Sequence, residues 1–270
     1  MAPVITVKNI DDPRLTPYRF LKGKDLKKQG IFIAEGTRVV KELLKGKFRI
    51  LSFLTTGHVY KKLKKTLRGT VKSRVPVYIG ETKDLAKITG FRFHQGILAS
   101  AKIPEKRTLT EIAKKIPRRG HLLVAFNSVT DPQNVGLIVR NAGGFGADAI
   151  IVDKRTCDPY YRKSVRVSIG AIFKLPVAYE DNLPASLRRL KKNFNTKIIA
   201  TSPGYGTIPL EKCDFSGNVC LVFGNEGEGL SREILKLADR KVKIPLSSAV
   251  DSLNVACSST VFLYKAALAK

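Results

Sequence analysis

The stretch from Ile244 to Leu268 holds polar side chains whose types and spacing invite chemistry. Ile244-Pro245-Leu246 reads as a strand-like apolar start and Ala256 to Leu268 as an apolar helix; between them Asp251-Ser252-Leu253-Asn254-Val255 sets a hydroxyl and an amide in a small-residue loop. Burying such groups unpaired costs about 1–3 kcal/mol, so Ser252 and Asn254 in apolar company predict a ligand, a second backbone or a reacting group beside them. A second segment is Asp131-Pro132-Gln133-Asn134-Val135-Gly136, followed by Arg140-Asn141-Ala142-Gly143-Gly144-Phe145-Gly146. On a helix starting near Gln133, Asn134 and Arg140 share a general side without forming one stripe. Asn134 serves equally well as a helix cap, and Arg140 as a solvated charge. The third segment, Phe223-Gly224-Asn225-Glu226-Gly227-Glu228-Gly229-Leu230-Ser231, has glycines that permit close approach of a ligand. Its Gly-x-x-Gly-x-Gly spacing differs from the dinucleotide fingerprint, and its two acids would repel a pyrophosphate.

The elements that must position these residues are short apolar runs alternating with helical patterns. In the second part of the chain the runs are His121–Phe126, Ala149–Val152, Phe173–Val177, Lys197–Ala200, Val219–Phe223 and Lys241–Ile244. Helical stretches at Asn134–Phe145, Leu183–Phe194, Ser231–Ala238 and Leu253–Ala267 separate most of them. This alternation predicts a parallel sheet covered on both faces, with each chemical segment just after a strand, where open α/β sheets place their ligands. From Arg14 to Lys102, helical stretches Thr37–Lys45 and Val59–Leu67 alternate with β-rich runs at Gly30–Ile33, Ile50–Thr55, Val75–Ile79 and Gly96–Ser100, predicting a small α/β unit. The expected division is residues 1–103, a linker at 104–120 carrying one short helix, and a domain at 121–270.

Charge is the strongest compositional signal, with 49 basic against 22 acidic residues and a net of +27. Such an excess attracts polyanions. Up to Ile103 there are 23 basic and 7 acidic residues, beyond it 26 and 15, so the shorter part has the denser charge and reads as the polyanion grip. A solvated lysine-rich surface is the plainer alternative. No window is apolar enough to span a membrane, and Met1–Asp12 lacks a signal-peptide profile, which predicts a cytoplasmic protein without a membrane partner. Cys157, Cys213, Cys220 and Cys257 lack Cys-x-x-Cys spacing and read as buried reduced thiols; His58, His94 and His121 suggest neither a metal nor a triad.

Taken together, at these positions and in this order, the three segments resemble the motifs of the SpoU/TrmH family of the SPOUT superfamily of RNA methyltransferases. The first block is similar to the ribosomal-protein-like substrate-binding domain often attached in that family, through Phe32-Ile33-Ala34-Glu35-Gly36 and His94-Gln95-Gly96-Ile97-Leu98-Ala99. The resemblance implies an α/β protein: a carboxyl-terminal parallel-sheet SPOUT domain with a deep trefoil knot, preceded by a small α/β RNA-binding domain. It implies S-adenosylmethionine as cofactor, held by Thr201, Phe223, Gly224, Ile244, Leu246 and Leu253, although Ser247-Ser248 replaces the glycine-containing loop common after Ile-Pro. It also implies methyl transfer to a ribose 2′-hydroxyl, with Arg140 beside the hydroxyl and Asn134, Glu226, Ser252 and Asn254 arranging it and the flanking nucleotide. A guanidinium, with a pKa above about 12, has almost no neutral form at pH 7. A role for Arg140 in gripping the target phosphate and polarising the hydroxyl is therefore preferred, with an RNA phosphate oxygen or water taking the proton. A homodimer completing the RNA site is part of the same implication, and no metal is.

Two other classes compete. A non-catalytic RNA-binding protein on the same fold is opposed by the intact Asn134, Arg140, Glu226, Ser252 and Asn254, and a dinucleotide oxidoreductase by the absence of an acid about twenty positions past a proper fingerprint. The separate basic domain favours a large structured RNA such as ribosomal RNA over tRNA, because added positive surface extends reach along phosphates.

Overall fold

A computed structural model describes residues 3–19, 26, 29–70, 74–94 and 96–269, so Gln95 lies outside the described residues. The chain divides into two compact units, Met1–Glu105 with Tyr160–Phe173, and Lys106–Pro159 with Lys174–Lys270.

The first unit is built on a five-stranded sheet of β1 (Val4–Thr6), β2 (Ile31–Glu35), β3 (Ile50–Thr55), β4 (Val77–Ile79) and β5 (Ile97–Lys102), in the order β1-β4-β3-β5-β2. The β1-β4-β3 pairings are parallel, and β5 runs antiparallel to both β3 and β2. Helices α1 (Thr37–Lys45), α2 (Gly57–Thr70) and α3 (Thr82–Thr89) connect them. Leu15, Ile33, Leu54, Leu85 and Leu98 form one core cluster with Tyr18. The Tyr18 hydroxyl is kept within that core by Ser52 Oγ at 2.7 Å and Ser100 Oγ at 3.3 Å. On α2, Lys61, Lys62, Lys64 and Lys65 are all exposed, while Leu63 and Leu67 are buried.

The segment Tyr160–Phe173, read from sequence as part of the second block, belongs to this first unit. Two interactions hold it there. Glu35 is an acid only 4% exposed, and its carboxylate takes Arg162 Nη1 at 2.7 Å and Arg166 Nη1 at 3.3 Å from the short helix Arg162–Val167. Without such partners a buried carboxylate would be strongly unfavourable. The Phe32 ring meets Phe48, Tyr160 and Phe173 at centroid distances of 5.8, 5.3 and 5.7 Å.

In the second unit α4 (Leu109–Ala113), closed by a capping box between Thr108 and Glu111, precedes a seven-stranded, wholly parallel sheet. After β6 (Leu122–Asn127) come α5 (Pro132–Gly144), β7 (Ala149–Asp153), β8 (Val177–Glu180), α6 (Leu183–Phe194), β9 (Lys197–Thr201), β10 (Ile208–Pro209), β11 (Val219–Gly224), α7 (Arg232–Leu237), β12 (Arg240–Lys243) and α8 (Val255–Ala267). The strand order is β10-β12-β9-β11-β6-β7-β8. The chain therefore leaves β6 toward one edge and later returns to the other side, and β6 lies where that direction reverses. Alternate strand residues such as Leu123, Ala125, Ile151 and Val222 pack with Leu109, Leu187, Leu190 and Ile234 of α4, α6 and α7. On α8, Phe262 meets Phe223 of β11 at 6.1 Å.

Two local expectations are corrected. The run Phe173–Val177 is not a strand: Ala171–Phe173 forms a 3-10 turn and β8 begins at Val177, after Pro176. Cys213 and Cys220 are buried free thiols and Cys157 is half-buried, but Cys257 is exposed, because it lies on the outward face of the first turn of α8. His121 is buried and structural, bonded to the Pro117 carbonyl and to Thr196 Oγ1 at 2.9 Å each. Among the described residues no helix is long and apolar enough to cross a membrane.

Candidate functional site at the carboxyl ends of the parallel strands

Helix α5 begins at the carboxyl end of β6. Asp131 caps it, accepting the amides of Gln133 at 2.7 Å and Asn134 at 2.9 Å, and Pro132 occupies the first turn, where its missing N–H costs nothing. Asp131 is therefore the cap, and the Asn134 side chain is released for other work. Its Nδ2 donates to Glu226 Oε1 at 2.7 Å, and its Oδ1 accepts Asn254 Nδ2 at 3.1 Å. Asn254 in turn caps α8, its Oδ1 accepting the amides of Ala256 at 2.9 Å and Cys257 at 3.4 Å. One hydrogen-bonded chain thus runs through the first turn of α5, the glycine-rich loop and the start of α8.

Ser252 and Asn254 are both exposed, which corrects the expectation of a polar pair enclosed by apolar residues. The strand-like reading of Ile244-Pro245-Leu246 fails because β12 stops at Lys243 and Pro245 lacks the N–H a ladder needs. Arg140 is exposed on α5 and its side chain makes no hydrogen bond or ion pair among the described residues; the Ser252 side chain makes none either. The structure therefore joins Asn134, Glu226 and Asn254 directly and leaves Arg140 and Ser252 open to solvent.

The loop after β11 is held rigidly. Asn225 and Gly229 exchange two backbone hydrogen bonds of 3.0 Å, closing a tight hairpin. Asn225 Oδ1 accepts the amides of Gly227 and Glu228 at 2.9 Å, and its Nδ2 donates to the Ser128 carbonyl at 2.9 Å. Gly224 is required here, since a Cβ would lie 2.5 Å from the Gly229 carbonyl carbon. Asn225 and Asn141 were not singled out in the sequence. Asn141 Nδ2 reaches the Ala256 carbonyl, Ser259 Oγ and Thr260 Oγ1 within 3.1 Å, clamping α5 to α8. The signal for Asn141 is a carboxamide on a helix face whose neighbours are small or apolar, and for Asn225 a carboxamide opening a glycine-rich turn.

The positions expected to hold a cofactor lie at the ends of three adjacent strands. Thr201 closes β9, its hydroxyl donating to the Val222 carbonyl at 2.9 Å. Phe223 and Gly224 close β11 and are buried, and Ile244 follows β12 half-buried. Leu246, Val250 and Leu253 are 38, 51 and 38% exposed, apolar side chains presented to solvent on the loop that follows β12. Apolar side chains, backbone groups at strand ends and a glycine whose backbone is closely approached suit an uncharged heterocycle with a sugar.

Comparison with known proteins bears on this arrangement. Residues 121–264 match the model of the SpoU rRNA methylase family, and residues 33–107 match that of RNA 2′-O ribose methyltransferase substrate binding. An uncharacterized tRNA/rRNA methyltransferase of Mycobacterium tuberculosis is 31% identical over 94% of this chain and 88% of its own length. The 23S rRNA (guanosine-2′-O-)-methyltransferase RlmB of Acinetobacter baylyi is 30% identical over 81% of this chain and 89% of its own. Among solved structures, the SpoU methyltransferase AviRb from Streptomyces viridochromogenes in complex with AdoMet superposes with a TM-score of 0.81 at 27% identity, covering 95% of this chain and 98% of that one. The AdoMet-bound rRNA methyltransferase from Sinorhizobium meliloti gives 0.83 at 24% identity over 97% of each chain, a likeness of fold.

Proposed function

This chain belongs to the SpoU rRNA methylase family, and from that membership and the site geometry we infer how it acts on ribosomal RNA. It is an S-adenosylmethionine-dependent RNA methyltransferase that modifies a ribose 2′-hydroxyl. The observation that carries the assignment of residues is the chain Glu226–Asn134–Asn254, which draws the three motif segments together at the carboxyl ends of the strands.

S-adenosylmethionine supplies the electrophilic methyl group. Thr201, Phe223, Gly224, Ile244, Leu246 and Leu253 would hold its adenosine part through backbone groups and apolar contact, in a deep trefoil knot formed by the last third of the chain. Asn134 holds Glu226 and Asn254 in fixed orientation, so that these two present an acceptor and a donor to the target nucleotide without reorganising, and Ser252 helps arrange the flanking nucleotide. Arg140, with no internal partner, grips the phosphate beside the target ribose and polarises the 2′-hydroxyl. An RNA phosphate oxygen or water accepts the proton. Positioning does most of the work, since holding reactants in line replaces an unfavourable encounter.

The basic unit 1–103 grips the RNA, with the exposed lysines of α2 along its phosphates, and residues 121–270 carry the chemistry. The enzyme works in the cytoplasm as a homodimer. Support for the dimer comes from α8 and its C-cap, where Val261, Tyr264 and Leu268 are 37, 55 and 65% exposed and recur at helical spacing on one face.

The test is methyl transfer from labelled S-adenosylmethionine to ribosomal RNA, with 2′-O-methyl positions mapped with and without the protein. Arg140→Ala should abolish transfer while calorimetry shows unchanged cofactor affinity. Loss of cofactor affinity in that variant would show that Arg140 has been given the wrong role.

A further inference from the structure

A cavity of about 190 Å³ opens at the carboxyl ends of β6, β7 and β8, beside the methyl-transfer site and not part of it. The glycine-rich loop separates the two: Glu226 bonds to Asn134, whereas Glu228, two residues on, borders the cavity. The place is one where ligands bind in open parallel sheets, outside the strand ends next to the point where strand order reverses. At this volume it is smaller than the roughly 300 Å³ at which pockets begin to hold drug-sized molecules, which suits a single nucleobase.

Its lining is mixed. Leu183, Pro184 and Leu230 give apolar walls, and Lys154, Arg155, Asp181 and Glu228 supply charges of both signs. A third acid, Asp153, is consumed by structure. Its carboxylate accepts Asn127 Nδ2 at 3.1 Å, the Ser128 amide at 3.0 Å and Thr156 Oγ1 at 2.7 Å, fixing Ser128 in a left-handed conformation with φ of 61°. Asp181 and Lys154, by contrast, are exposed and have no hydrogen bond or ion pair among the described residues. Arg155 and Glu228 touch only at 3.5 Å, with side chains 61 and 72% exposed. Such a surface pair is worth about 0–1 kcal/mol and exchanges readily for a ligand.

Three carboxylates beside two cations disfavour a phosphate and favour a neutral group with donors on one edge and acceptors on another. A carboxylate accepts only, a guanidinium donates only. Guanine alone among the four RNA bases offers two adjacent N–H donors on one edge, for Asp181, and the adjacent acceptors O6 and N7 on another, for Arg155. We propose that this cavity receives a guanine of the RNA substrate next to the methylated nucleotide and reads it through Asp181 and Arg155. That the bound RNA is the substrate rests on the methyltransferase reading; the base pocket itself is tested without it.

The test is titration of the ¹⁵N-labelled full chain with guanosine, adenosine, cytidine and uridine 5′-monophosphates into the millimolar range. Guanosine monophosphate should shift the amides of Ser128, Arg155 and Gly229 saturably. The other three nucleotides, and Asp181→Asn with guanosine monophosphate, should bind about tenfold or more weakly, the discrimination of one bidentate base contact. Absence of saturation at those amides, an equal response to all four nucleotides, or undiminished binding by Asp181→Asn each overturns the proposal. Calorimetry with S-adenosylmethionine on the same samples reports separately on the methyltransferase reading, and Asp181→Asn should leave that affinity unchanged.

Discussion

Asn134 donates to Glu226 at 2.7 Å while accepting from Asn254 at 3.1 Å, so one carboxamide uses both its ends to tie the glycine-rich loop to the cap of the last helix. An amide is the right group for this, because it offers a donor to a carboxylate and an acceptor to another amide at the same time.

Asn134→Ala should therefore cost catalysis more than stability. Glu226 and Asn254 are exposed and recover water when the bridge is removed, so the lost hydrogen bonds amount to about 1–2 kcal/mol of folding free energy. Their orientation, however, is no longer fixed, and misplacement of groups at a reacting centre costs roughly 100-fold in rate. Steady-state kinetics should show a fall in kcat of about that size with S-adenosylmethionine affinity retained. Unchanged kcat would make Asn134 a purely structural tie.

Gly224→Ala probes the loop from the backbone side. The new Cβ would sit 2.5 Å from the Gly229 carbonyl carbon and 2.7 Å from the Leu230 nitrogen, and backbone cannot move aside as a flexible side chain would. Opening the Asn225–Gly229 hairpin is the remaining route, at about 1–3 kcal/mol. Thermal unfolding should register that loss, and calorimetry a weaker S-adenosylmethionine affinity. A variant as stable and as competent as the parent would show that the hairpin tolerates displacement.

What could be read from sequence follows the range of the forces involved. Helices Thr37–Lys45 and Leu183–Phe194 were legible to the residue, since apolar periodicity and end signals such as Asn182 before Leu183-Pro184 are local. β8 was misplaced because its last residue, Glu180, looks polar. In the fold Glu180 is buried, accepting the Leu109 amide, the Ser186 hydroxyl and Arg189 Nη2. The helix Arg162–Val167 was missed for a similar reason: its partner Glu35 lies 127 residues away. In the site, motif order singled out Asn134, Glu226 and Asn254. Their mutual bonds, across 92 and 120 residues, exist only once the sheet has formed.

Glu35 gives a separate prediction for the first unit. Removing one member of a buried ion pair typically costs about 3–5 kcal/mol because the other is left uncompensated. Here the arginines are 22 and 45% exposed and regain water, so Glu35→Ala should cost less, about 2 kcal/mol. The loss should appear as a lower urea midpoint together with faster tryptic cleavage at Arg162 and Arg166, whose segment is no longer held to β2. Retained protease resistance would assign the anchoring to the rings around Phe32 alone.

Tyr18 sets the alkaline limit of the same unit. Burial raises its phenol pKa well above the usual value near 10, the hydrogen bonds it shares with Ser100 and Ser52 opposing that shift only in part. The folded state thus favours the protonated phenol. Its contribution is complete below the unfolded pKa and is lost progressively as pH rises past about 10, where the unfolded chain releases a proton that the folded chain keeps. Tyr18→Phe removes this dependence. At neutral pH it should cost about 1 kcal/mol, because Ser52 and Ser100 remain bonded to each other at 2.7 Å. Melting temperatures measured between neutral pH and pH 11 should converge as pH rises, the parent losing stability faster than the phenylalanine variant. Parallel curves would mean that the phenol ionises without unfolding the core around it.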